Sequence, residues 1–145
     1  HYVGFGSSGF KHSLANIQST KVFAVNIATF PQREAMNASS ATVGEGIDEF
    51  ALAGLEKEEC RLIACARVKP APAALECRMH QVIPLPDDSG AVDNWLVLGR
   101  VVGVHIDDAF IRDGRVDTAG LQLIGRLGYA DYVTASPLWR MKRPG

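Results

Sequence analysis

Ser7, Ser8, Gly9, Lys11 and Ser13 crowd into one short segment near the start of the chain, within the stretch GFGSSGFKHSLANI from Gly4 to Ile17. That stretch reads as a strand, a Gly/Ser turn carrying one lysine, and the first turn of a helix. A helix N-terminus leaves its first N–H groups unpaired and carries about half a positive charge, so it attracts anions. Neighbouring hydroxyls and a lysine add donors, and the spacing suits a terminal phosphate. The same residues also read as a simple helix cap, because the ordered glycines, Lys and Ser/Thr of a P-loop are missing.

Three further groups carry chemistry. Asn37, Ala38, Ser39 and Ser40 make a second polar cluster at the end of a short predicted helix, where Asn also serves as a C-terminal cap because it tolerates the left-handed conformation. His105 sits near the end of an apolar strand, followed by Asp107 and Asp108. It reads either as a catalyst or as a hydrogen-bonded wall residue, with no Ser or Cys nucleophile placed beside it and no companion ligands at a metal-binding spacing. Arg126, in GRLG with Tyr129 and Tyr132 close behind, reads as a C-cap in a salt bridge or as a holder of an anionic or aromatic ligand.

Composition limits what these groups can serve. The 145 residues make one domain, 1–145, large enough for a genuine core. Fifteen Lys and Arg nearly cancel sixteen Asp and Glu, giving a net charge of −1, so no global field holds nucleic acid or an anionic membrane. Any anion site is therefore local. No apolar run approaches the roughly 18 residues of a membrane-spanning helix and no signal segment opens the chain, so a soluble cytoplasmic protein is expected. The three cysteines, Cys60, Cys65 and Cys77, lack a CxxC pair, against a disulfide framework and against a zinc ribbon. Cys77 alternates with Leu75 and Met79 and reads as a small buried hydrophobe.

The elements that must position these residues follow from periodicity. His1 to Gly6 begins abruptly as a strand, as if the chain were a piece of something longer. Leu14 and Ile17 share a helical face, and KVFAVNIA from Lys21 is a strand. Thr29 with Gln32 forms a capping-box pattern, Pro31 suits a first turn, and a short helix through Arg33 to about Asn37 follows. GEGIDEFALAGL holds one helical turn around Asp48 to Ala51, and CRLIACARV reads as a strand ended by KPAPAA. The clearest unit is a hairpin of two long strands, AALECRMHQVIPL and NWLVLGRVVGVHID, joined by PDDSGAVD. Glycines at 99 and 103 let such long strands coil as a barrel wall must. RDGR at 112–115 is a turn, and Asp117 is positioned to cap a helix over TAGLQLIGRLG.

In serial order, GSSGFKHSLANI, KVFAVNIATFPQREAMNASSA, GIDEFALAGL, ALECRMHQVI, VLGRVVGVHIDD and GRLGYADY resemble the flavin reductase-like, FMN-binding split-barrel family over nearly the whole chain. The resemblance implies a mainly β fold, an antiparallel six-stranded split barrel with flanking short helices, assembled as a homodimer with flavin at or near the subunit interface. It also implies about one more strand-hairpin before His1. Ser7, Ser8, Gly9, Lys11, His12 and Ser13 match the family's phosphate-cradling segment, with His12 where Asp is usual. Asn37 and Ser39 match the adjoining helix end, and His105 and Arg126 match positions near the isoalloxazine or nicotinamide side.

The activity so implied is that of a flavin reductase: NAD(P)H as co-substrate, FMN or FAD as the flavin, and free flavin, a monooxygenase partner or another acceptor downstream. His105 would be the catalytic-side residue. A flavin supplies its own hydride chemistry, which accounts for a chain with no recognisable triad. A non-catalytic FMN-binding electron carrier and a cofactor-less dimeric interaction domain are the rival readings on the same fold.

Overall fold

The computed structural model describes residues 1–44 and 46–145; Glu45, inside the Gly-punctuated stretch, lies outside them. In chain order the elements are β1 (Tyr2–Ser8), α1 (His12–Thr20), β2 (Val22–Asn26), α2 (Arg33–Ala38), α3 (Glu49–Leu52), β3 (Lys57–Glu59) and β4 (Ala66–Val68). The long pair β5 (Ala73–Pro86) and β6 (Val92–Ile106) comes next. Four short strands end the chain: β7 (Ile111–Arg112), β8 (Arg115–Val116), β9 (Ile124–Arg126) and β10 (Tyr132–Thr134). The main sheet is antiparallel, with strand order β1-β6-β5-β2, and three two-stranded ladders surround it. It thus has four strands where the resemblance implies a barrel of six.

The long hairpin is the frame. Its register slips between Glu76 and Cys77, between Met79 and Gln81, and between Leu85 and Pro86, so the two strands bend and coil. Gly99 lies opposite Met79 at one slip. A Cβ placed there would lie 2.3 Å from the Phe23 ring, so only glycine lets β2's aromatic side chain close onto β6. The predicted role of Gly99 in a coiled wall is thereby met by a close approach.

α1 covers one face of this sheet. Leu14 and Ile17, three residues apart and so on one helical face, pack with Phe23, Cys77 and Val97 into the buried cluster, and Phe5 meets Phe23 edge-on at 5.7 Å. Cys77 is the small buried hydrophobe its alternation suggests, with no exposed surface. The helix ends where Lys21 takes a left-handed φ of 63° and its N–H reaches the Ile17 carbonyl at 2.9 Å.

Four local expectations are corrected. The Thr29–Gln32 capping box does not form: the Thr29 hydroxyl donates to Gln32 Oε1 at 3.1 Å, Gln32 Nε2 donates to the Pro70 carbonyl, and a 3-10 turn over Phe30–Gln32 precedes α2. Of CRLIACARV only Ala66–Val68 is a strand, because the Arg61 and Leu62 N–H groups turn to the Glu76 carboxylate instead of a neighbouring strand. Asn37 is an interior residue of α2, while the C-cap is Ser39 in right-handed conformation. Asp117 accepts from Gly120 N and from Arg112 Nε, but no helix follows it. Gln122 takes φ 50°, and the backbone of 122–124 pairs with Ala28 and Phe30 to start β9.

Gly99→Ala is expected to lower stability by about 1–3 kcal/mol, the usual cost of overpacking a filled core. Urea unfolding followed by tryptophan fluorescence measures it, and an unchanged midpoint would show that Phe23 yields without cost.

Candidate flavin site

The serine–lysine segment is held by β6. Ser7 pairs with Trp95 and Ser8 with Asn94 in the β1–β6 ladder, and Gly9, at φ 76°, donates its N–H to the Asp93 carbonyl at 2.8 Å. The Ser7 hydroxyl donates to the Gly9 carbonyl at 3.2 Å and the Ser8 hydroxyl to Asn94 Oδ1 at 2.8 Å. Neither serine caps α1. The N-cap falls to Lys11, in extended conformation and without a side-chain cap bond, so His12 is the first helical residue and not the cap. The first turn contains no acid, and Lys11, His12 and Ser13 are exposed around it. An unneutralised helix start beside a lysine and a hydroxyl can hold a phosphate.

The second group gathers at the far end of the sheet. The Ser39 hydroxyl donates to the Met36 carbonyl at 2.8 Å, which caps α2 and leaves no free hydroxyl proton for a ligand. Exposed Asn37 lines a cavity of about 240 Å³ with Phe30, Arg33, Met36 and Tyr132. Arg126, on β9 and not at a helix end, donates to the Tyr129 carbonyl at 3.3 Å and stands 6.0 Å from the centre of the Tyr132 ring.

His105 is fixed by a residue that sequence reading passed over. Its Nε2 pairs with the carboxylate of Glu76, which is only 1% exposed. The same carboxylate accepts from Arg61 N at 2.8 Å and from Leu62 N at 2.7 Å. Burial works to raise the Glu76 carboxyl, yet the hydrogen bonds from His105, Arg61 and Leu62 outweigh it and hold the group below the ordinary carboxylate value. His105 is therefore hydrogen-bonded into the wall. It borders a polar cavity of about 510 Å³, shared with Arg61, Arg67, Lys69, Asp107 and Asp108. Asp107 accepts from Ala109 N at 2.9 Å and so caps the following 3-10 turn.

The model of the flavin reductase like domain matches residues 2–120. The chain belongs to the flavin reductase-like family. An uncharacterized protein of Deinococcus radiodurans is 32% identical over 121 residues, which cover 81% of this chain and 51% of that protein, so the chain spans about half of that relative's length. Among solved structures it is similar to nitrilotriacetate monooxygenase component B from Bacillus cereus, with a TM-score of 0.91 at 25% identity, covering 97% of this chain and 71% of that one. A split-barrel protein of Shewanella frigidimarina superimposes with a TM-score of 0.84 at 22% identity, over 99% of this chain and 71% of that one. The fold of this flavin reductase-like chain is thus the mainly β split barrel with few helices that the six segments imply.

The structure divides the predicted site residues into two sets. Ser7, Ser8, Gly9, Lys11, His12 and Ser13 stand beside Asn94, near the hairpin turn, while His105 lies eleven residues further along β6, roughly 35 Å measured along the bent strand at 3.3 Å per residue. Asn37, Ser39 and Arg126 share the His105 end, through the contacts of residues 28–32 with Pro70 and with 122–124. Glu76, Asn94 and Asn26, whose Oδ1 accepts from Val68 N at 2.9 Å, were missed. For Glu76 the available signal was a lone carboxylate among apolar strand residues, opposite a glycine.

Glu76→Gln should cost about 1–3 kcal/mol at pH 7, the price of weakening a buried, multiply donated acceptor. The depressed carboxyl contributes stability above the ordinary Glu value of about 4.3, and loses it as pH falls through its lower folded value. Urea midpoints across pH 2.5–7 should therefore show a flatter acid limb in the variant; parallel curves would mean that the charge of Glu76 is not what stabilises the fold.

Proposed function

We propose that this chain is the FMN-binding part of a flavin reductase-type oxidoreductase, which takes hydride from NAD(P)H and passes electrons to an acceptor. The uncapped start of α1 carries the reading. Lys11 makes no cap bond, the first turn holds no acid, and both preceding serine hydroxyls are engaged elsewhere. The residues present fit a phosphate monoester: the Lys11 ammonium, the Ser13 hydroxyl and the first N–H groups of α1 donate to it, and His12 adds a charge when protonated.

FMN, or FAD in its place, supplies the hydride chemistry when bound. This chain's own residues bind and orient it: Lys11 and Ser13 at the phosphate, Asn37 along the ribityl side, and His105 with Arg126 beside the nicotinamide of the co-substrate. Ser7 and Ser8 shape the turn through their own hydrogen bonds. The Bacillus cereus neighbour is named as a monooxygenase component, which supports a monooxygenase partner as the acceptor of reduced flavin.

The separation of the two residue sets supports a homodimer, because one mononucleotide does not span the length of β6. The His105 end of a second copy would complete the pocket begun at Lys11. Exposed apolar side chains suit that association: Phe10 is 59%, Tyr2 60% and Val104 59% exposed.

Lys11→Ala is expected to weaken FMN binding by about 1.5–3 kcal/mol, roughly 10- to 150-fold, read by flavin fluorescence quenching. An unchanged dissociation constant would remove Lys11 from the seat. Steady-state oxidation of NADH and NADPH with added FMN tests turnover: a yellow protein that oxidises neither is a carrier, and a colourless one that does not quench FMN is an interaction domain. Sedimentation equilibrium should find a dimer.

A further inference from the structure

Cys60 and Cys65 face each other across the open end of the β3–β4 ladder. That ladder pairs Lys57 with Val68, Glu58 with Arg67 and Glu59 with Ala66. The same register carried one step further sets Cys60 opposite Cys65, and the Cys60 N–H donates to the Cys65 carbonyl at 2.9 Å. Alternate residues of a strand share a face. On this face the opposed pairs are, in order, Glu56 with Lys69 at 2.6 Å, Glu58 with Arg67 at 2.6 Å, and then the two cysteines. Both thiols are free and half-buried.

Cys60 and Cys65 make one of the two bonds of a hydrogen-bonded antiparallel pair, the Cys65 N–H turning to the Ile63 carbonyl at 3.0 Å; such a pair has Cα atoms about 5.5 Å apart, within the roughly 4.4–6.8 Å that a disulfide spans. We propose that Cys60 and Cys65 are a redox modification site, forming a reversible intrachain disulfide that closes the loop of residues 61–64 when a hydroperoxide is present. The inference rests on backbone register and stands whether or not the chain turns over flavin.

With hydrogen peroxide as oxidant the step balances. One thiolate sulfur attacks a peroxide oxygen, the S–O bond forms as the O–O bond breaks, and hydroxide leaves a sulfenic acid. The second thiolate attacks that sulfur, the S–S bond forms, the S–O bond breaks, and a second hydroxide departs. The two thiol protons convert both hydroxides to water: two thiols and one peroxide give one disulfide and two waters. A dithiol reverses the bond by exchange.

Burial, and after it the charge of Glu76, push the Cys60 thiol up to about 11, and burial raises Cys65 as well. Thiolate is therefore scarce at neutral pH and the bond forms over sustained exposure. Opposed Cβ atoms of a hydrogen-bonded pair stand about 5.5 Å apart, against about 3.8 Å in a disulfide, so closure pulls the strands together and yields a strained, readily reduced bond. The loop so closed carries the Arg61 and Leu62 N–H groups that hold Glu76. Oxidation would pin that clamp.

The test uses the full chain, reduced with dithiothreitol, freed of it and held in hydrogen peroxide for hours, then denatured, alkylated with iodoacetamide and digested with trypsin. Alkylated cysteines should fall from three to one, Cys77, and Glu58–Arg61 should emerge joined to Leu62–Arg67. Dithiothreitol should restore all three. Three alkylated cysteines after exposure, a sulfinic or sulfonic acid in place of the bond, or a bridge to Cys77 or to another chain would each overturn the proposal.

Discussion

A carboxylate with almost no exposure to water must have every oxygen lone pair answered or it will not stay charged. Glu76 meets that demand by drawing two separate parts of the chain onto itself: the end of β6 through His105, and the 61–64 loop through two successive backbone N–H groups. The loop departs from strand geometry to reach it. The β3–β4 ladder stops at Glu59 and Ala66, and beyond it the Cys65 N–H turns to the Ile63 carbonyl at 3.0 Å within the loop. The wall beside the polar cavity is thus set by one desolvated charge.

The coil of the long hairpin distributes the rest. Bulges bend β5 and β6, and the absence of a side chain at Gly99 admits Phe23, which brings β2 and α1 down on the same core. α1 consequently starts beside the hairpin turn with its positive end toward solvent. The long strands that give the barrel its wall also hold the two candidate half-sites apart, which makes the ends of the sheet distinct in character: one carries the exposed Lys11 and His12 at the start of α1, the other a clamped His–Glu pair beside a polar cavity.

The serine turn shows how side-chain inventory differs from side-chain availability. Ser7, Ser8 and Ser39 carry hydroxyls at positions expected to meet the flavin, yet each hydroxyl proton is committed to an acceptor in its own neighbourhood. Lys11 and Ser13 are left to face outward. Counting polar residues would have weighted all five equally, whereas the hydrogen bonds assign Ser7 and Ser8 to holding the turn and Ser39 to the end of α2, and leave Lys11 and Ser13 exposed.

Alternation and glycine placement by themselves determined the long hairpin, β1, α1, β2 and the family to which the order of segments belongs, because each depends on the period of nearby residues. Asp48 capping α3 was readable too, since the cap and the Phe50 N–H that donates to it lie two residues apart. Tertiary structure alone decided that 61–64 is a loop, that 122–126 enters a strand instead of a helix, and that Glu76 holds His105. In each case the deciding hydrogen-bond partner is distant in sequence: Glu76 for Arg61, Ala28 for Ile124, His105 for Glu76. Local propensity has no access to such partners, and the free energy of leaving a buried polar group unpaired exceeds the few tenths of a kcal/mol, roughly, that separate one local conformation from another.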